Sequence, residues 1–164
     1  SYDPSKGYIY GRFVMENYYE KAVVISLKEQ STGERVNIKF DCYTEHSRPR
    51  EISVYQAPPG TYVIDRVYSC TARRSVFTFR SADCSEHIDF AGEGRGQYSA
   101  PFTVNRGETV YIGDFTGLSF GTGLGEVKWE IRSIENRFTT ASEKLKELYR
   151  GFSNVIPVNA FRGM

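Results

Sequence analysis

The stretch FTVNRGETVYIGDF, residues 102–115, reads as a strand, a tight turn and a second strand. Gly107 supplies the backbone freedom that such a turn requires. In the second strand Val110 and Ile112 face one way, Tyr111 and Gly113 the other, because successive side chains of an extended chain alternate. Gly113 leaves room for a neighbouring ring or a bulge, and Asp114 is placed to cap the turn that follows. On this reading the stretch is architecture rather than a site.

Working outward, the same two-residue period recurs through the first four-fifths of the chain. Val23, Ile25 and Leu27 share a face in AVVISLKE, as do Val36, Ile38 and Phe40 in RVNIKF. In EVKWEIRSI, Val127, Trp129 and Ile131 oppose Lys128, Glu130 and Arg132. One wet and one buried face per strand is the habit of antiparallel sheets. Turn residues punctuate the runs: STGER (31–35) divides two strands as a hairpin does, and in APPGTYVI (57–64) two prolines and Gly60 precede a strand beginning at Tyr62. Eight or nine short strands with no helix between them exclude a doubly wound α/β fold. They predict an antiparallel β-sandwich over residues 8–134.

The period changes near residue 137. In TTASEKLKELYRGF, Ala141, Leu145, Leu148, Tyr149 and Phe152 form one helical stripe. A helix is expected over 139–152, opened by a capping box of Thr140 and Glu143 and closed by Gly151 in a left-handed cap. Burial of its large apolar residues, worth about 1.5–3 kcal/mol each, predicts that it docks on the sheets. Residues 153–164 form a tail, and the whole of 1–164 is read as one domain.

Composition narrows the function classes. The 21 basic and 20 acidic residues leave a net charge of +1, without the basic surplus of a nucleic-acid binder. No apolar run approaches the length of a membrane-spanning helix. The opening SYDPSKG is polar, unlike a signal peptide. Aromatic residues make up 15% of the chain, which suits half-buried strands.

The groups that carry chemistry are few. Of three cysteines, Cys70 and Cys84 are the first choice for a disulfide, with Cys42–Cys84 as the alternative. A hairpin pairing 62–69 with 76–80 would carry Cys84 away from Cys70. The pairs Cys42-x3-His46 and Cys84-x2-His87 lack the spacing of a zinc site, so no metal and no cofactor is expected. Asp83, Glu86 and Asp89 lie in an acidic loop from which a hydrolase would draw its acid and base. GEGRG (92–96) and GTGLG (121–125) lack the ending of a phosphate-binding loop and read as loop tips. Arg95 and Tyr98, beside the first of them, and Arg73 and Arg74 are the candidate binding residues; Arg48, Arg50 and Arg80 extend the second pair to a basic patch.

FTVNRGETVYIGDF, then EVKWEIRSI, then ASEKLKELYRGFSNVIPVNAF resembles, in that order, uncharacterised bacterial envelope proteins, many of them lipoproteins. In these a Val-x-x-Gly-x-x-x-Tyr-Ile-Gly-Asp strand closes a β-sandwich, and a helix and short tail follow. The similarity covers residues 101–161, is looser over 8–68 and does not reach 69–98; Ser153 stands where proline is commoner. PPGTYVI is also similar to the start of a strand in transthyretin-like modules. The resemblance implies a periplasmic or outer-membrane-associated protein, with any lipid anchor upstream of Ser1, and it brings no catalytic residues. The expectation is a non-enzymatic binding or structural module, monomeric or weakly self-associating, whose partner is an envelope protein or a glycan. A peptidoglycan binder and a hydrolase using residues 83–89 are the alternatives.

Overall fold

Alternating oily and wet residues pair into two sheets. The computed structural model describes residues 1–15, 22–41, 52–73, 81–87, 90–93, 100–121 and 127–161. Among these are strands β1 (Gly7–Met15), β2 (Ala22–Glu29), β3 (Arg35–Asp41), β4 (Ile52–Ala57), β5 (Gly60–Arg73), β6 (Ser81–His87), β7 (Phe90–Glu93), β8 (Phe102–Val104), β9 (Thr109–Gly121) and β10 (Val127–Glu135). Helix α1 (Phe138–Leu148), a 3-10 turn (Arg150–Phe152) and the short β11 (Val158–Asn159) complete the fold, which is mainly β. One sheet runs β4-β1-β9-β10-β7 with β11 on β9; the other runs β3-β2-β5-β6 with β8 on β5.

The two sheets share one apolar core. Ile9, Phe13, Val110 and Ile112 of the first sheet cluster with Val23, Ile25, Leu27 and Phe40 of the second. The expected faces of β2 and β3 turn to the core, but β2 has no wet face over Ala22–Leu27, where Ala22, Val24 and Ser26 are buried too. Along one edge the sheets are tied by the Ser53 hydroxyl of β4, which donates to the Lys39 carbonyl of β3 at 3.0 Å.

The turn at residues 105–107 does not fold β8 against β9. Gly107 has φ +81°, and its N–H donates to the Lys6 carbonyl at 3.0 Å. The chain leaves β8, paired with β5 in the second sheet, and enters β9, paired parallel with β1 in the first. The chain also crosses between the sheets at Pro58–Pro59, from β4 to β5. Here β5 begins at Gly60 rather than Tyr62. Gly60 does not use positive φ; a Cβ there would stand 2.7 Å from Glu29 Cγ, so close approach explains the glycine.

The first sheet is mixed, not antiparallel as expected. β1–β9, β10–β7 and β11–β9 are parallel pairs. Strands far apart in sequence need no tight hairpin between them, so either direction is open to them, and alternation of side chains does not encode direction.

Gly113 carries a bulge, one of the two roles foreseen for it. Its φ is +134°, and the β1–β9 register shifts between Tyr10↔Tyr111 and Arg12↔Asp114. The extra residue resets the alternation: Ile112 and Phe115 both reach the core between the sheets, while Tyr111 and Asp114 share the outer face. Asp114 caps no turn, since β9 continues to Gly121.

The outer face of the first sheet is covered by α1. Tyr8, Tyr10 and Tyr111 pack there with Ala141, Leu145 and Phe152. The helix differs from expectation at both ends. It starts at Phe138, with Arg137 as N-cap and no side-chain bond there, so Thr140 and Glu143 form no capping box. Phe138 is drawn into the helix by its contact with Tyr111, ring centroids 5.8 Å apart. The helix ends at Leu148, which is 45% exposed and off the buried stripe. Gly151 lies in the 3-10 turn, where a Cβ would stand 3.0 Å from the Tyr2 nitrogen, and not in a left-handed cap.

Candidate functional site

The strand registers sort the connections by the end of the fold from which they leave. In the second sheet Ala22 faces both Asp41 and Cys70, and Arg73 faces Ser81. In the first, Ile52 faces Arg12, Met15 faces Gly117, and Gly121 faces Val127. Connections 16–21, 42–51, 74–80 and 122–126 therefore all leave one end. The opposite end holds the 30–34 hairpin and the crossings at 58–59 and 105–108, while β1 to β2 and β3 to β4 also change sheet. Arg73 is the last residue of β5; Arg74, Arg48, Arg50 and Arg80 belong to the connections at the same end and lie outside the described residues. Arg95 and Tyr98 also lie outside them. Their segment follows β7, which runs parallel to β10.

The hairpin of β5 and β6 removes the objection to pairing Cys70 with Cys84. β6 is Ser81–His87 rather than 76–80, and Cys70 and Cys84 are register partners. Asp83 and Glu86 consequently sit within a strand, not in an acidic loop, while Asp89, Cys42 and His46 lie outside the described residues. Among the described residues no group of three His, Cys, Asp or Glu side chains is gathered that would hold a metal ion.

One polar cluster went unnoticed in the sequence. The Gly113 bulge brings Tyr111 and Asp114 to one face, where the Tyr111 hydroxyl donates to Asp114 Oδ1 at 2.6 Å. That hydroxyl also accepts from the Arg137 backbone N–H at 3.0 Å. Arg12 lies 3.6 Å from the other Asp114 oxygen, and the Arg137 guanidinium pairs with Glu135 at 2.9 Å. Burial pushes the Asp114 carboxyl up, opposed by Tyr111 and Arg12. Burial and the adjacent carboxylate push the Tyr111 hydroxyl up as well. A cavity of about 160 Å³ is bounded by Arg12, Val14, Asp114, Thr116, Glu135 and Arg137. Another of about 410 Å³ borders the first turn of α1. Arg12 pairs with Asp114, and the Arg137 N–H bonds to Tyr111 while its guanidinium pairs with Glu135, so the cluster stitches β1, β9, β10 and the start of α1 together. Tyr111-x2-Asp114 around a glycine was its only sequence signal, legible only once the bulge is known.

No protein-family model and no curated protein matches the chain. A leucine-rich repeat protein from Bacteroides thetaiotaomicron VPI-5482, known from a crystal structure, is similar over 68% of this chain at 15% identity and a TM-score of 0.32. The chain spans 14% of that protein's length.

Proposed function

We propose that the chain is a non-enzymatic binding module of the bacterial cell envelope, extracytoplasmic, and built as a β-sandwich with its helix as an outer cover. The observation that carries this reading is the sorting of connections: those that follow β1, β3, β5 and β9 all leave the same end. Loops grouped on a rigid frame are where binding function concentrates. Two of the four, 42–51 and 74–80, hold Arg48, Arg50, Arg74 and Arg80, and 74–80 contains no acidic residue. The partner is an envelope protein or a glycan. The ion-paired cluster of Arg12, Asp114, Glu135 and Arg137 fits a structural role, and the place of Asp83 and Glu86 inside β6 takes support from a hydrolase. Tyr8, Tyr10, Tyr62 and Tyr111 are buried, which takes them away from any carbohydrate-stacking face.

The test is cosedimentation of the full chain with purified peptidoglycan sacculi and, separately, with envelope membrane vesicles. Binding to one of them that falls at least tenfold in an R74S/R80S variant of unchanged circular dichroism supports the proposal. Binding unaffected by that variant, or no binding to either material, contradicts it.

A further inference from the structure

Cys70 and Cys84 stand opposite one another on the antiparallel strands β5 and β6. Direct partners on antiparallel strands have Cα atoms about 4.5–5.5 Å apart. A disulfide needs about 4.4–6.8 Å. The row across the second sheet also fixes where the third cysteine begins: Asp41 faces Ala22, Ala22 faces Cys70, and Cys70 faces Cys84. With strands about 4.8 Å apart, Asp41 is roughly 14 Å from Cys84. Cys42, one residue of about 3.8 Å further on, stays beyond the reach of Cys84 in whatever direction it steps. To reach Cys70, Cys42 would have to step straight back across β2, where Ala22 stands.

We infer that Cys70 and Cys84 are joined by a cross-strand disulfide that ties β6 to β5, and that Cys42 remains outside it. This rests on strand register alone and not on the binding reading above. With glutathione disulfide as oxidant, one cysteine thiolate attacks its S–S bond and releases a glutathione thiolate. The second cysteine then displaces the other glutathione, so two cysteine thiols are oxidised and two glutathione thiols are formed.

The test equilibrates the folded full chain with glutathione disulfide, then denatures it, alkylates it with iodoacetamide and digests it with trypsin. Arg73, Arg74 and Arg80 lie between the two cysteines, and Arg48, Arg50 and Arg66 lie between Cys42 and Cys70, so each cysteine falls on its own peptide. The expected result is a linked Cys70–Cys84 pair that separates on reduction, with Cys42 carrying alkyl or glutathione. A C42S variant should leave the link unchanged. Alkylation of all three cysteines, or a linked peptide that contains Cys42, overturns the inference.

Discussion

Gly113 resets which side chains of β9 face the core and which face the helix. Its φ of +134° is open to glycine and strained for other residues, and a Cβ would stand 2.8 Å from Ile134 Cγ2. Gly113→Ala is expected to cost about 1–3 kcal/mol from backbone strain, with the contact to Ile134 added to it, read as a lower urea midpoint. Glu29 illustrates a different local device. Its Oε2 accepts from the N–H and hydroxyl groups of Ser31 and Thr32, and Oε1 accepts from the Thr61 N–H. These donors favour the charged form and hold the carboxyl at about 2, below its ordinary 4.5. A depressed acid stabilises the fold above its unfolded-state value and loses that contribution as pH falls through the folded value. The stability difference between the wild type and Glu29→Gln should therefore be full above pH 4.5 and shrink as pH falls toward about 2. Denaturation at stepped pH checks this, and a constant difference would contradict it. STGER announced the hairpin in the sequence, but Glu29 also needs Gly60 and Thr61 from β5, a neighbour that local sequence does not reveal.

At the scale of elements, the 3.6-residue period identified the helix and its docking. It could not give the helix ends, because Phe138 joins for the sake of Tyr111 and Leu148 falls off the buried stripe. Leu145 is fully buried, so Leu145→Ala should cost about 2–5 kcal/mol. Leu148→Ala should cost about 0.5 kcal/mol or less. Equal losses in parallel urea titrations would contradict the docking described. The β5–β6 hairpin gives a second prediction. A bond between Cys70 and Cys84 closes a loop of 15 residues, counting both cysteines, and reduction should lower stability by about 3 kcal/mol. Thermal melts of the oxidised chain with and without reductant measure it. Turn residues revealed that strands end, but not which strand the next one joins.

For the molecule as a whole, alternation and turn residues were enough to foresee a mainly β fold with buried strand faces, and the aromatic share leaned the same way. Strand direction and sheet membership were hidden, because both depend on partners distant in sequence. The outer-face cluster was hidden for the same reason: Arg12, Asp114 and Arg137 meet only when β1 and β9 run side by side and α1 starts beside them. Of the connections at that end, 42–51 and 74–80 were legible as carriers of arginine, while their sharing of one end follows from register. The central claim is that the turn at 105–107 passes the chain between sheets, leaving β9 parallel to β1. Interstrand nuclear Overhauser effects on labelled protein test it most directly. The account predicts parallel-strand contacts pairing Ile9 with Val110 and Tyr10 with Tyr111, together with antiparallel contacts between Tyr62 and Phe102. Hα–Hα contacts between Phe102 or Val104 and Val110 or Ile112, the mark of a β8–β9 hairpin, would contradict it.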